Sequence, residues 1–330
     1  MEKEKLTHRS RMENVLSGGP VDRIPVSLWR HFPVDDQTPE KLAAAILSFQ
    51  RTYDFDFVKV TPASSFCVKD WGAQDEWRGA TEGTRDYFNF PVKTPEDWRK
   101  LVPLDPGKGF LGEQLKCLRL IMDELGSQTP VIQTIFNPLS QAKNLVSRDK
   151  LVLNLRLFPQ ALHEGLKIIT ESTARFIEEA LKTGISGIFF AVQHAQYRVL
   201  AESEYQEFGR AYDLQLLEMV KSAWLNVLHL HGEEVMFDMF VDYPVQVINW
   251  HDRDTRPTLS EGQQRYKGVV CGGLQRERTI VLGTPEEVKA EARDAIQSVG
   301  GKRFILGTGC VVPINAPHGN ILAARHLVME

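Results

Sequence analysis

The chain has 330 residues, 42% of them apolar and 25% charged, the composition of a globular protein with material for a large core. A formal charge of −4 excludes a broad basic field for nucleic acid or anionic lipid, and no apolar run approaches the ~18 residues of a membrane span. Met1 to Ser10 is charged and lacks an apolar stretch, so no signal peptide is expected and a reducing cytoplasm is the expected setting. There the cysteines, Cys67, Cys117, Cys271 and Cys310, with no CxxC among them, read as core residues, ligands or nucleophiles rather than disulfides.

In chain order, short apolar runs alternate with longer amphipathic stretches. The first run, Ile24–Leu28, reads as a buried strand and leads into Trp29-Arg30-His31-Phe32-Pro33. That turn has no glycine, which argues against a dinucleotide-binding unit. Thr38-Pro39-Glu40 opens a helix, with Thr38 as cap and proline at the first helical position. Phe55–Val60 is the second strand. The stretch 62–130 is too long for one connection and reads as an insertion, with a small hairpin around Trp77–Phe90 and a helix from Gly112 to Leu125.

Pro130–Ile135 is the third strand, and a long helix over Phe158 to Lys182 ends at Gly184. Gly187–Ala191 is the fourth strand. Ser203 with Gln206 forms a capping box for a helix toward Ala223 with the apolar stripe Tyr205, Phe208, Tyr212, Leu216 and Val220. Leu225–Leu230, Val245–Asn249, Gly268–Cys271 and Arg303–Gly307 complete eight strands, and Thr284-Pro285-Glu286-Glu287 caps the helix before the last, which Gly300 closes. Eight alternating units predict an α/β fold, a distorted (β/α)8 TIM barrel forming one domain over 1–330.

Barrel chemistry sits at the C-terminal strand ends. Five of the nine histidines, residues 31, 194, 229, 231 and 251, fall there. His229 and His231, two apart on a strand, point to one face, with Leu228 and Leu230 packing outward. Two imidazoles and a thiolate suit Zn2+ with an open fourth position, and Cys310 at the last strand end can reach them. Cys271 is held in reserve as a ligand, and Cys271 and His251 compete for the site. Alternatively the histidine pair binds an anion or is held by ordinary hydrogen bonds. Proton transfer is assigned to His194 and His251, and substrate contact to Arg30, His31, Asn137, Gln193 and Trp250. Arg30 either grips a carboxylate or phosphate or pairs with Asp35 or Asp36. Cys67 and Cys117 read as buried thiols.

Several segments carry a resemblance. They are Asp22-Arg23-Ile24-Pro25-Val26 leading to Arg30, Asn249-Trp250, Val270-Cys271-Gly272-Gly273-Leu274, and the run from Arg303 through Gly307-Thr308-Gly309-Cys310 to Pro313 followed by Ala316-Pro317 and Asn320-Ile321. Through them nearly the whole chain resembles the uroporphyrinogen decarboxylase superfamily, which includes corrinoid- and folate-linked methyltransferases. The resemblance implies a distorted TIM barrel. The decarboxylase branch carries an RQAGR loop; Arg30 matches its first arginine, but His31-Phe32-Pro33 replaces the rest. The aspartate that branch places after its second strand has no match around Thr61–Cys67. The methyltransferase branch holds zinc through a His-x-Cys pair and a later cysteine. His229 and Cys310 match the outer two ligands, and His231 stands at the middle one.

The resemblance therefore implies a zinc-dependent methyltransferase acting on a thiol, with a small-molecule substrate and a corrinoid or folate methyl carrier, the corrinoid on a separate protein; the reading allows a homodimer. Metal-free decarboxylation of a porphyrinogen or other polycarboxylate is the second expectation. A non-catalytic ligand-binding barrel, marked by a mouth filled with apolar side chains, is the third.

Overall fold

The computed structural model describes residues 5–328; the first four residues of the charged opening and the last two of the chain lie outside them. The strands are β1 (Val58–Val60), β2 (Gln74–Glu76), β3 (Asp86–Asn89), β4 (Val131–Phe136), β5 (Gly187–Val192), β6 (Val227–Leu230), β7 (Val247–Trp250), β8 (Val269–Leu274) and β9 (Phe304–Thr308). All but β2 and β3 form one parallel sheet in the order β1-β4-β5-β6-β7-β8-β9, while β2 and β3 make a separate antiparallel pair. Every residue of the seven parallel strands is buried, as expected where helices cover a sheet whose strands read as continuous apolar runs. The register sets Ala191, His229, Asn249, Cys271 and Ile305 side by side at one level.

Seven of the eight predicted strands are present. The first differs: Ile24–Leu28 meets the sheet through a single parallel bridge between Val26 and Leu306. Pro25 has no N–H to give a ladder, and the Val26 N–H is taken by the Asp56 carboxylate at 2.7 Å. Hydrogen bonds nonetheless flank the bridge, Leu306 N–H to the Pro25 carbonyl at 2.9 Å and Ser27 N–H to the Leu306 carbonyl at 3.0 Å.

The helices are α1 (His8–Ser17), α2 (Pro39–Tyr53), α3 (Gly109–Leu125), α4 (Pro138–Val146), α5 (Arg148–Leu157), α6 (Pro159–Lys182), α7 (Glu202–Tyr205), α8 (Ala211–Met219), α9 (Leu259–Arg265), α10 (Pro285–Ser298) and α11 (His318–Leu327). Thr38 caps α2 by accepting from the Lys41 N–H, and Thr284 and Glu287 form the expected reciprocal box on α10. Helix α6 closes at Gly184, whose φ is 91°. The Ser203–Gln206 box is not what opens α7: the helix begins at Glu202, and the Glu204 carboxylate accepts from the Ala201 N–H at 2.9 Å. A π-helical turn over Gln206–Arg210 then joins α7 to α8. The stripe survives that extra residue, with Tyr205, Phe208, Tyr212, Leu216 and Val220 all buried.

Asp56 ties α1 to the sheet. Its carboxylate accepts from Arg11 at 2.7 Å and from Arg23 at 2.6 Å as well as from the Val26 N–H. Burial alone would raise this carboxyl, but His8, Arg23 and Arg11 hold it well below the usual range. Asp56→Asn takes the counter-charge of the buried Arg23 guanidinium and leaves Arg11 with Asp22 alone, and should cost about 3 kcal/mol at pH 7. The depressed carboxyl contributes fully above the unfolded value of about 4 and loses its contribution as pH falls below it. The gap between wild type and variant in urea melts should therefore narrow in acid; a gap independent of pH would refute the ion-pair origin.

Candidate metal centre

Parallel strands put all their C-terminal ends on one rim, and the histidines and Cys310 meet there. His229 lies inside β6 and His231 just beyond it, where the His231 N–H still donates to the Val192 carbonyl at 2.9 Å. The extended backbone turns both imidazoles to one face while Leu228 and Leu230 are buried on the other. His251 follows β7 and Cys310 follows β9. One ligand atom from each of His229, His231, His251 and Cys310 lies within 4.8 Å of the others. Cys310 Sγ stands 3.7 Å from His231 Nδ1, and the His231 and His251 rings meet edge-on with centroids 5.0 Å apart.

The donor set fits a divalent ion such as zinc: three imidazoles and one thiol group gathered within 4.8 Å, three of the four residues buried. His251 Nε2 is buried with no hydrogen-bond partner among the described residues. Burial would raise the Cys310 thiol, but the facing imidazoles, His229 foremost, hold it well below its ordinary value. Burial pushes His229 down.

Asn249 fixes which nitrogen of His229 is available. Its amide N–H groups go to the carbonyls of Cys271 at 2.9 Å and Thr308 at 3.0 Å, so its Oδ1 must accept, from His229 Nδ1 at 2.7 Å. His229 therefore carries its proton on Nδ1 and presents the Nε2 lone pair to the set.

Gly309 holds Cys310 against this group. A Cβ at Gly309 would fall 2.7 Å from His251 Cα and 2.8 Å from the Trp250 carbonyl. Gly309→Ala must push the Cys310 segment away from His251, at about 1–3 kcal/mol of stability. Metal retention measured beside the melting temperature checks this, and an alanine variant with unchanged metal affinity would count against the close approach.

A cavity of about 70 Å³ opens beside the set, lined by His31, Lys59, Thr61, Phe189 and Gln193 together with His229, His231 and Cys310. Burial pushes His31 down to about 3 and Lys59 down to about 7. The Lys59 ammonium donates to Thr61 Oγ1 at 3.1 Å and lies 4.5 Å from the Phe189 ring centroid. Lys59 stands at a predicted strand end, where a lone cation closing an apolar run is its sequence signal; no role follows from the sequence. Beyond His231 and Gln193 a larger cavity of about 390 Å³ contains His194, which burial pushes down to about 3.

Other expected residues lie elsewhere. His251, expected either to move protons or to compete for the metal site, lies in the donor cluster. Trp250 is fully buried on the outer side of β7, against Phe237, with its indole N–H on the Pro257 carbonyl at 2.8 Å; it cannot touch a substrate at the mouth. Asn137 is also fully buried, because it caps α4 through Ser140 and donates to Asp213 at 2.9 Å. Cys271 lies outside the donor cluster, and burial pushes its thiol above the usual range. Arg30 rests over the Phe32 and Phe49 rings, 5.0 and 5.7 Å from their centroids, and does not line the cavity beside the cluster. Asp36 pairs with Arg85 at 2.5 Å. Cys67 and Cys117 are buried free thiols.

The family model described as uroporphyrinogen decarboxylase (URO-D) matches residues 7–330. Among curated relatives, the methylcobamide:CoM methyltransferase MtbA of Methanosarcina acetivorans is 22% identical over 96% of this chain and 95% of its own length. A uroporphyrinogen decarboxylase of a Synechococcus species is 23% identical over 70% of this chain and 66% of its own. A solved structure titled methyltransferase from Methanosarcina mazei superposes with a TM-score of 0.85 at 19% identity, covering 97% of this chain and 98% of that one; that likeness concerns the fold. No helix among the described residues is long and apolar enough to cross a membrane.

Proposed function

The chain belongs to the uroporphyrinogen decarboxylase family, and within it we propose a zinc-dependent methyltransferase that moves a methyl group from a corrinoid or folate carrier to a thiol. The observation that carries this reading is the convergence of His229, His231, His251 and Cys310 within 4.8 Å at the mouth of the parallel sheet. His229, His231 and Cys310 would hold the ion, and His251 is the fourth donor within reach, the one that would give way to a substrate sulfur. When bound, zinc supplies a Lewis acid that keeps a substrate thiol deprotonated near neutral pH. The similarity to MtbA over nearly the whole length of both chains supports the same class.

The chain's own groups prepare the transfer. Phe189, Trp29 and Val311 wall the cavity with apolar surface that keeps water from the sulfur. Lys59, the one cation lining that cavity, faces the thiolate, and His31, neutral and uncharged, adds no competing charge. In the transfer the sulfur–carbon bond forms as the carrier's bond to the methyl carbon breaks. The carrier keeps that electron pair; a corrinoid leaves the thiol proton to solvent, whereas a folate nitrogen takes a proton up in its place. Pro25–Ser27 closes the sheet between β9 and β1 into the expected barrel. Its support is the two bonds to Leu306 on one side, and Asp56 N–H to the Val26 carbonyl and Ser27 Oγ to the Phe57 carbonyl on the other. One domain then spans 1–330, with 62–130 an insertion in it.

Decarboxylation of a polycarboxylate has less behind it, because Arg30 is spread over two aromatic rings and His31-Phe32-Pro33 supplies no second arginine. A mouth with a cavity and a donor cluster is also unlike the apolar plug of a non-catalytic barrel. The test uses tag-free protein, stripped and then reloaded with zinc, with methylcobalamin or methyltetrahydrofolate as donor and a small thiol as acceptor. Thioether should form only after reloading, with one donor. Equal turnover without metal, or porphyrinogen decarboxylation dependent on Arg30, would overturn the proposal.

A further inference from the structure

Asp213 of α8 is fully buried, and its carboxylate accepts hydrogen bonds from three neutral groups: Tyr205 Oη at 2.6 Å, Tyr243 Oη at 3.0 Å and Asn137 Nδ2 at 2.9 Å. These donors come from α7, from the loop before β7 and from the start of α4. Tyr205 reaches the carboxylate across the π-helical turn, where Gly209 makes room for its ring; a Cβ there would fall 2.6 Å from Tyr205 Cε2. Arg210 faces the group from the same turn, but it lies 4.9 Å from the Tyr243 ring centroid and is engaged by Asp242 at 2.7 Å. His163 of α6 is turned to Tyr212 and Glu207 instead. Burial beside this carboxylate pushes both tyrosine hydroxyls far above their ordinary range, so they act as neutral donors. Burial also pushes the Asp213 carboxyl up, and its three donors pull it back, leaving it at about 6. Both charge states are therefore reached close to neutral pH.

The bonds that lead from the mouth to Asp213 all run in one direction. Asn137 Oδ1 accepts from the Ser140 N–H at 3.0 Å, the bond that caps α4, so its Nδ2 must face Asp213. The Ser140 hydroxyl donates to the same Oδ1 and accepts from the Gln193 N–H at 3.2 Å. Gln193 in turn lines both cavities at the mouth. Asn137, Ser140 and Asp213 are each 0% exposed, which shields the chain of bonds from water. A proton on the carboxyl breaks the order. On Oδ1 it meets the Asn137 amide donor head-on, and on Oδ2 it displaces one of the two tyrosine hydroxyls from its acceptor.

We propose that Asp213 is a positioning residue for the mouth: as a carboxylate it fixes the start of α4 and, through Asn137 and Ser140, the backbone of Gln193, and as the neutral acid it releases them. The wall shared by the two cavities then responds to mild acid through a group outside the donor cluster. The inference does not depend on methyl transfer, because it concerns the shape of the mouth and not the reaction there. The sign of the linkage separates it from a purely structural role. The folded carboxyl lies above its unfolded value of about 4, so its ionised form costs stability as pH rises through about 4 to 6. Asp56, which serves the fold, lies below that value instead.

Hydrogen exchange on the full chain as purified, with metal content recorded at each pH, tests this. The Ser140 and Gln193 amides are the readout, since their acceptors belong to the chain of bonds itself. After correction for the intrinsic rate, their protection should fall about tenfold between about pH 7.5 and pH 5, with a midpoint near 6. Asp213→Asn, the neutral isostere, should show the low protection already at the higher pH and no further step. Tyr243→Phe keeps the carboxyl and removes one donor, so it should move the midpoint up by about one unit; it decides the matter alone where Asp213→Asn does not fold. Protection that does not change with pH, or a step that persists in Asp213→Asn, overturns the proposal. A midpoint that Tyr243→Phe leaves in place overturns it too, because the step then belongs to another group, such as a histidine of the donor cluster. Each of these failures leaves the methyl-transfer reading standing, since the metal-reloading assay tests that separately.

Discussion

Cys310→Ala should purify folded and without metal, falling from about one zinc per chain to background. The thiol is the one anionic donor of the cluster, and its low proton affinity comes from the imidazoles around it. Without it three neutral nitrogens remain, a weaker set for a divalent cation. His231→Ala should do the same at little cost to the fold, because His231 is partly exposed. His251→Ala should differ. If His251 is the donor that yields to substrate, the metal stays, with affinity lower by about 10–100-fold, the size of effect expected for a supporting partner. Metal stoichiometry by mass spectrometry and thermal melts on the three variants decide this. Undiminished zinc in Cys310→Ala would place the metal elsewhere, and complete loss in His251→Ala would make the site a closed four-ligand one.

What was legible in the sequence follows from which periodicities are local. The period of 2 in His229-Leu230-His231 is a property of three residues, and it placed both rings on one face. Seven strands were legible because each is a continuous apolar run. The first was not, because one proline and one aspartate 30 residues away decide whether Val26 can join a ladder. The fourth donor was the harder part. Four residues on three strands meet only because the sheet curls, and no spacing in the chain encodes that curl. Trp250 is legible from alternation alone: with Asn249 and His251 inward, the strand turns Trp250 outward. Asn137 before Pro138 likewise carries the signature of a helix cap.

The donor cluster depends on its supports as much as on its ligands, and Asn249 is where the two meet. Its side chain joins β7 to the carbonyls of Cys271 and Thr308 and orients His229, so three buried partners rely on one amide. Asn249→Leu keeps the volume and removes every bond. Each orphaned buried group costs about 1–3 kcal/mol, so a loss of about 3–5 kcal/mol is expected, together with metal affinity weakened by about 10–100-fold as His229 becomes free to turn or change tautomer. Asn249→Asp separates the two effects. Its carboxylate still accepts from His229 Nδ1 but can donate to neither carbonyl, and it brings a charge into a fully buried position. It should therefore melt at least as early as the leucine variant while holding metal better. Urea melts and competitive zinc titrations of the pair should cross in this way. A leucine variant that melts early yet binds zinc like wild type would show that the His229–Asn249 bond serves the fold alone, and that the lone pair of His229 is aimed by its packing against Phe189 instead.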